Sequence, residues 1–206
     1  GSEKQAQLLL AITDHYQQCY AAACALRGDR ALPIIATGHL TTVGASKSDA
    51  VRDIYIGTLE AFPAERFPAA DYIALGHIHR PQKVVASGHI RYSGSPIALS
   101  FDETGSEKSV LLVEFSDGKL QQVTPLPVPV TQPLAVLKGD LAAIESQLER
   151  WRDAPADPKV WLDIEVSGEA VMFDMQRQVL AMTEDLPVEV VLLRRSREQR
   201  ALMLSG

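Results

Sequence analysis

Tyr72-Ile73-Ala74-Leu75-Gly76-His77-Ile78-His79-Arg80 joins a short apolar run to a glycine and then to two histidines spaced by one residue. Side chains of a strand alternate with period 2, so a buried strand here delivers His77 and His79 to the same side of its end. Imidazole is the commonest side-chain metal ligand, and Gly76 permits a sharp turn or a close approach to an ion. A second unit of the same kind stands upstream, Ile34-Ile35-Ala36-Thr37-Gly38-His39. Two apolar strands that each end in Gly-His would place three imidazoles on one rim of a sheet. On the residues alone, His39, His77 and His79 are either metal ligands or ordinary surface and core histidines.

Upstream of these strands, residues 3–27 read as a helix. Leu8, Leu9, Ile12, Tyr16, Cys19 and Tyr20 recur at helical spacing, and Gly28 supplies the stop. Leu32–Thr37 reads as a buried strand, residues 41–49 as a small polar loop, and Ile54–Ile56 as a short edge strand. Pro63 and Pro68 bracket one helical turn over Ala64–Phe67, and the strand Asp71–Leu75 follows. Downstream, Val84–Ala86 and His89–Tyr92 flank Ser87-Gly88 as a tight hairpin, and Ser93–Pro96 makes a turn. Lys108–Phe115 and Leu120–Thr124 flank Asp117-Gly118 as a second hairpin. Strands joined by short turns predict an antiparallel sheet with helices outside.

Pro125, Pro127, Pro129 and Pro133 then punctuate the chain, which predicts an extended linker that no central strand tolerates. The reading is a first domain over 1–127, a Pro-rich linker over 128–133, and a second domain over 134–206. The second alternates strand (Leu134–Leu137), helix (Leu141–Trp151), strand (Val160–Val166), helix (Val171–Met182) and strand (Val188–Leu193), a small α/β unit. Arg194–Arg200 reads as the start of a further helix. The whole is α+β.

At 206 residues, with 46% hydrophobic and 22% charged, the chain suits a globular protein with a sizeable core. No apolar run is long enough for a bilayer span, and no charged-then-apolar leader opens the chain. Cys19 and Cys24 fit neither a disulfide framework nor a zinc spacing, so the expected compartment is the cytoplasm, with no membrane partner. The net charge of −6 is opposite to what bulk binding of nucleic acid favours. Any DNA contact would have to come from a local patch, from bound cations or from a partner.

Three histidines are not a complete centre for two-metal hydrolysis, which needs a bridging carboxylate between its ions. Asp49, Asp53, Asp71, Asp102 and Glu103 are available, but none shares a motif with the histidines. His15 reads as a solvated or packing residue of the first helix, and His89 as an exposed strand residue. Arg80 and the Ser93–Pro96 turn, through Ser95, are candidates for holding a phosphate; a solvated arginine and a plain turn are the alternatives. The terminal arginines either touch DNA or form a charged helical face. Neither a serine or cysteine nucleophile motif nor a nucleotide-type phosphate loop is present.

Thr37-Gly38-His39-Leu40 followed by Asp71–His79 resembles the last two motifs of the calcineurin-like metallophosphoesterases. Within them the resemblance is to DNA nuclease subunits that work with an SMC-like ATPase. It extends through Ser46–Asp53, Tyr92–Pro96 and the segment after the prolines. The resemblance implies a metallophosphoesterase β-sandwich with flanking helices, followed by an α/β capping domain that holds DNA. It implies two Mn2+ ions, with His39 and His77 on one and His79 on the other. It also implies a homodimer within a heterotetramer, acting as a double-strand exonuclease and a single-strand or hairpin endonuclease in repair and recombination. That family opens with Asp-x-His, Gly-Asp and Gly-Asn-His-Asp in that order; Asp-x-His and Gly-Asn-His-Asp do not occur here, and no Gly-Asp stands between them. The expectation is therefore the C-terminal part of such a subunit, inactive by itself. The rivals are a small-nucleotide phosphodiesterase of the same fold and a non-catalytic DNA-binding or dimerisation module.

Overall fold

A computed structural model describes residues 2–42, 61–168 and 172–196. The chain divides into two compact units, 1–129 and 130–206. The described residues form three α-helices and three sheets, an α+β protein.

The first unit opens with α1 (Ser2–Arg27). Its Leu8, Leu9, Ile12, Tyr16 and Tyr20 pack on a core made of Leu40, Phe62, Phe67, Ile73, Leu75, Ile78, Ile90 and Tyr92. Four strands follow, β1 (Ile35–His39), β2 (Tyr72–Gly76), β3 (Gln82–Lys83) and β4 (Ile90–Tyr92), in the sheet order β1-β2-β4-β3. β1 and β4 both run parallel to β2, and only β3 is antiparallel. This corrects the antiparallel sheet expected from the turns. The strands before and after β2 return by crossovers, and a parallel pair requires a connection of that kind. The expected Ser87-Gly88 hairpin is real but wider: Gln82 and Lys83 pair with β4, and of Val84–Ala86 the Val84 N–H donates to the Ile90 carbonyl at 2.9 Å.

β5 (Ser109–Ser116) and β6 (Lys119–Pro127) form a separate antiparallel hairpin. β6 runs through Pro125 and Pro127, which lie opposite Leu111 and Ser109, so the strand is longer than its prolines suggest. In a two-stranded ribbon each strand has an open edge, where a missing N–H leaves no ladder bond unmade.

The second unit is β7 (Leu134–Gly139), α2 (Leu141–Leu148), β8 (Val160–Val166), α3 (Met172–Thr183) and β9 (Val188–Arg195), with all three strands parallel in the order β7-β8-β9. Alternate residues of β8, Leu162, Ile164 and Val166, join Ile144 and Leu148 of α2 and Met175 and Val179 of α3 in one core. Right-handed crossovers between neighbouring parallel strands put both helices on that face. Asp140 caps α2, its carboxylate accepting from the Ala143 N–H at 2.8 Å. Arg194 and Arg195 belong to β9 rather than to a helix. Most of the expected loop 41–49, the expected strand Ile54–Ile56, the resembling segment Ser46–Asp53, and Arg197–Arg200 lie outside the described residues.

Candidate metal centre

The paired strands β1 and β2 set the positions of the histidines. Their register places Gly38 opposite Leu75 and His39 opposite Gly76. A Cβ added at Gly76 would stand 2.9 Å from His39 Nδ1, so the glycine leaves the space that the imidazole fills. The next residue, His77, has φ 93°, a backbone conformation that costs a non-glycine residue roughly 1–3 kcal/mol. Strain of that size persists where surrounding structure imposes it. The result is two imidazoles side by side, with ring centres 5.3 Å apart.

Gly38 has a matching cause. A Cβ there would meet the Tyr16 hydroxyl of α1 at 2.3 Å. Just beyond His39, the hydroxyl of fully buried Tyr92 donates to the Leu40 carbonyl at 2.6 Å and accepts from the Thr42 N–H at 3.0 Å. The chain on both sides of His39 is thereby pinned. At the other end of the strands, the Asp71 carboxylate accepts from the Ile34 N–H at 2.7 Å, and the Asp71 N–H donates to the Ile34 carbonyl.

His79 is held by other means. Buried Ile78 anchors the chain between the two histidines. The Ser95 N–H donates to the His79 carbonyl at 3.0 Å, and positive-φ Gly94 lets that loop approach. The imidazole Nδ1 lies 2.8 Å from Glu103 Oε1. Glu103 is itself buried, and its Oε2 accepts from the Ser95 hydroxyl at 2.9 Å and from the Lys108 ammonium. Burial pushes the Glu103 carboxyl up, but hydrogen bonds from Lys108, His79 and Ser95 outweigh it and hold the group below the usual glutamate range.

The structure brings His39 and His77 together and ties His79 to Glu103. Arg80 is exposed beside them. Ser95, read from sequence as a phosphate contact, is buried and turned inward, with both its hydroxyl and its N–H engaged in the protein. His15 is exposed on α1 and half-buried His89 bonds the Ser87 hydroxyl. Lys108 escapes the sequence reading as a functional residue, and Glu103 enters it only as an available carboxylate that shares no motif with the histidines. They flank Glu103-Thr104-Gly105-Ser106-Glu107-Lys108, which has the composition of a surface turn. The available signal was the placement of a lysine at the first position of a predicted strand.

For two imidazoles bound to one ion, metal–nitrogen bonds of about 2.1 Å put the ring centres about 5 Å apart. The His39–His77 separation fits that arrangement. Among the described residues, no group of three or more His, Cys, Asp or Glu side chains is arranged to hold a metal ion. The imidazole pair fits a divalent ion as a partial donor set.

In the second unit four charged side chains pair across the sheet. Arg194 reaches Asp163 at 2.5 Å and Glu165 at 4.0 Å, and Lys138 reaches Glu165 at 3.7 Å. Together they form a ladder across β7, β8 and β9. No described helix is long and apolar enough to cross a membrane.

Comparison with known proteins first places the second unit. Residues 130–205 match the family model described as Type 5 capsule protein repressor C-terminal domain. The entire chain is then 68% identical to the SbcD nuclease subunit of Escherichia coli (strain K12), covering 52% of that protein. It is 37% identical over 134 residues to the SbcD nuclease subunit of Bacillus subtilis (strain 168), which is 64% of this chain and 34% of that protein. The SbcD nuclease subunit of Rhodobacter capsulatus is 34% identical over 187 residues, 88% of this chain and 45% of that protein. The chain belongs to the SbcD family of nuclease subunits. It spans about half the length of the curated relatives it matches.

Proposed function

We propose that the chain carries part of the metal centre of a manganese-dependent DNA nuclease subunit. Its first unit would be the C-terminal portion of a metallophosphoesterase β-sandwich, and its second a capping domain that holds DNA. The observation that carries this reading is the pairing of His39 with Gly76, which leaves the His39 and His77 rings 5.3 Å apart at the carboxyl ends of parallel strands. His39 and His77 would hold one Mn2+ and His79 a second. When bound, such ions supply Lewis acidity toward a phosphodiester. The protein's part is to orient imidazoles as neutral ligands on a rim, with exposed Arg80 beside them to meet a phosphate oxygen. Ser95 would act from beneath, through His79.

The activities that go with this reading are double-strand exonuclease and single-strand or hairpin endonuclease cleavage, in cytoplasmic DNA repair and recombination. The partners would be DNA and an SbcC-type SMC-like ATPase, in a heterotetramer built on a homodimer of this subunit. The relatives are named as subunits of an SbcCD nuclease, which supports the assembly. The second α/β unit argues against a small-nucleotide phosphodiesterase, which needs no such separate unit.

For the isolated chain, a binding or dimerisation role is the reading favoured by the partial donor set among the described residues. Two divalent ions without a carboxylate between them repel each other uncompensated. The test is hydrolysis of a chromogenic phosphodiester with Mn2+ by this chain and by a form as long as the relatives. The long form is expected to turn over and to stop on His77→Ala, and this chain to be silent. Robust turnover by this chain that vanishes on His77→Ala would overturn the reading of a partial donor set.

A further inference from the structure

Glu103, Lys108 and Ser95 form a buried polar group whose one outward contact among the described bonds is His79. Glu103 is 5% exposed, Ser95 6% and Lys108 8%. Burying a carboxylate and an ammonium is expensive unless each is paired and bonded. Here Lys108 Nζ donates to both Glu103 Oε2 and, at 2.9 Å, Ser95 Oγ, while Ser95 Oγ donates to Oε2 at 2.9 Å. That leaves Oε1 directed at His79 Nδ1, 2.8 Å away. An ionised carboxylate accepts hydrogen bonds and donates none. A 2.8 Å contact between Oε1 and Nδ1 therefore requires the proton on Nδ1, which in the neutral imidazole leaves the lone pair on Nε2.

We infer that Glu103 is a positioning residue that fixes the Nδ1–H tautomer and the ring plane of His79, so that Nε2 faces the rim as a ready donor. Lys108 and Ser95 serve this role indirectly. They occupy Oε2 and keep the carboxylate from rotating, so Oε1 stays in place. The inference deepens the proposed metal centre and rests on it for its use, but the hold on the ring stands on bonds within the chain. It also sets the two ends of the centre apart. His39 and His77 are placed by backbone register, whereas His79 is placed by a side-chain bond network. Such outer partners of histidine ligands are typically worth about 10–100-fold in metal affinity.

The tautomer can be read directly. In this chain labelled with 15N-histidine, long-range 1H–15N spectra at neutral pH should show His79 protonated at Nδ1, with Nε2 at the shift of an unprotonated nitrogen. Glu103→Leu combined with Lys108→Met removes both buried charges and the acceptor together, and should reduce the Nδ1–H population of His79 at least about twofold. If that double variant fails to fold, Ser95→Ala provides a milder perturbation in the same direction, and the unsubstituted chain alone still decides the tautomer. Nε2–H in the unsubstituted chain, or an undiminished Nδ1–H population in a folded variant, would overturn the inference. In a form as long as the relatives, titration with Mn2+ alone separates the two claims. Glu103→Gln should weaken binding about 10–100-fold. If His79→Gln in that form leaves Mn2+ binding intact, the proposed centre fails, while the spectra still report on Glu103.

Discussion

Parallel strands in the two units end in the same way and lead to different things. β7 of the second unit ends at Gly139, and the next residue, Asp140, caps α2. β2 of the first unit ends at Gly76, and the next residue, His77, presents an imidazole. At Gly139, with φ 143°, a Cβ would meet Ala143 Cβ at 2.8 Å, so the glycine lets a helix start close against its own strand. At Gly76 the space goes to His39 instead. One glycine serves the stability of a small α/β unit and the other serves the placement of a ring. The second unit pairs four of its charges in the Lys138–Glu165–Arg194–Asp163 ladder, whereas the first leaves His39 exposed at the end of β1.

The largest effect expected from this contrast is on activity. In a form as long as the relatives, His77→Ala should take Mn2+-dependent phosphodiester hydrolysis to background while shifting the melting temperature by only a few degrees, because a rim imidazole carries little packing. Next is the core of the second unit. Leu137 is fully buried, and Leu137→Ala should cost about 2–5 kcal/mol in urea denaturation of this chain. The glycine pair gives the sharpest test. Gly139→Ala should lower stability by about 1–3 kcal/mol. Gly76→Ala should instead displace His39 and lower activity of the long form about 100-fold. Similar phenotypes for the two would dissolve the distinction between them.

A smaller effect concerns acid. The Glu103 carboxyl is held below its ordinary range in the folded chain, so its contribution to stability is present above the unfolded value and lost as pH falls through the folded one. Stability measured by urea titration should therefore decline below about pH 4.3, and Glu103→Gln should flatten that part of the profile. The smallest expected change is Ile35→Thr on β1. Ile35 is 51% exposed, so the cost should stay within about 0.5 kcal/mol, against the kcal-scale loss at Leu137.

Much of this organisation was legible in the sequence because it is written in local patterns. Helical periodicity identified α1, and the Gly-His units marked the ends of β1 and β2. The alternation of apolar runs with amphipathic ones marked the second unit, whose strand and helix boundaries differ from the reading by a few residues. Parallel pairing in the first sheet was not legible. Strand direction depends on how the chain crosses between strands, and turn-like residues such as Ser87-Gly88 look the same in either case. The extension of β6 through Pro125 and Pro127 was also hidden, since a proline's tolerance depends on whether its strand has an open edge. His39, His77 and His79 could be picked out by motif. Glu103 and Lys108 could not, because a buried ion pair so close in sequence has the same letters as a solvated turn.

The pairing of His39 with Gly76 also determines how the arrangement can fail. Strand register is not a continuous variable. Sliding β1 against β2 moves each residue by a full step of about 3.3 Å and reverses the face it occupies. A slip in one direction would set His39 over the Leu75 side chain, and a slip in the other would run it into His77. The ring pair thus behaves like a catch with discrete notches. Thermal motion can rattle it within a notch but cannot shift it by a fraction of one, and variants should divide into chains that keep the imidazole pair intact and chains that lose it outright.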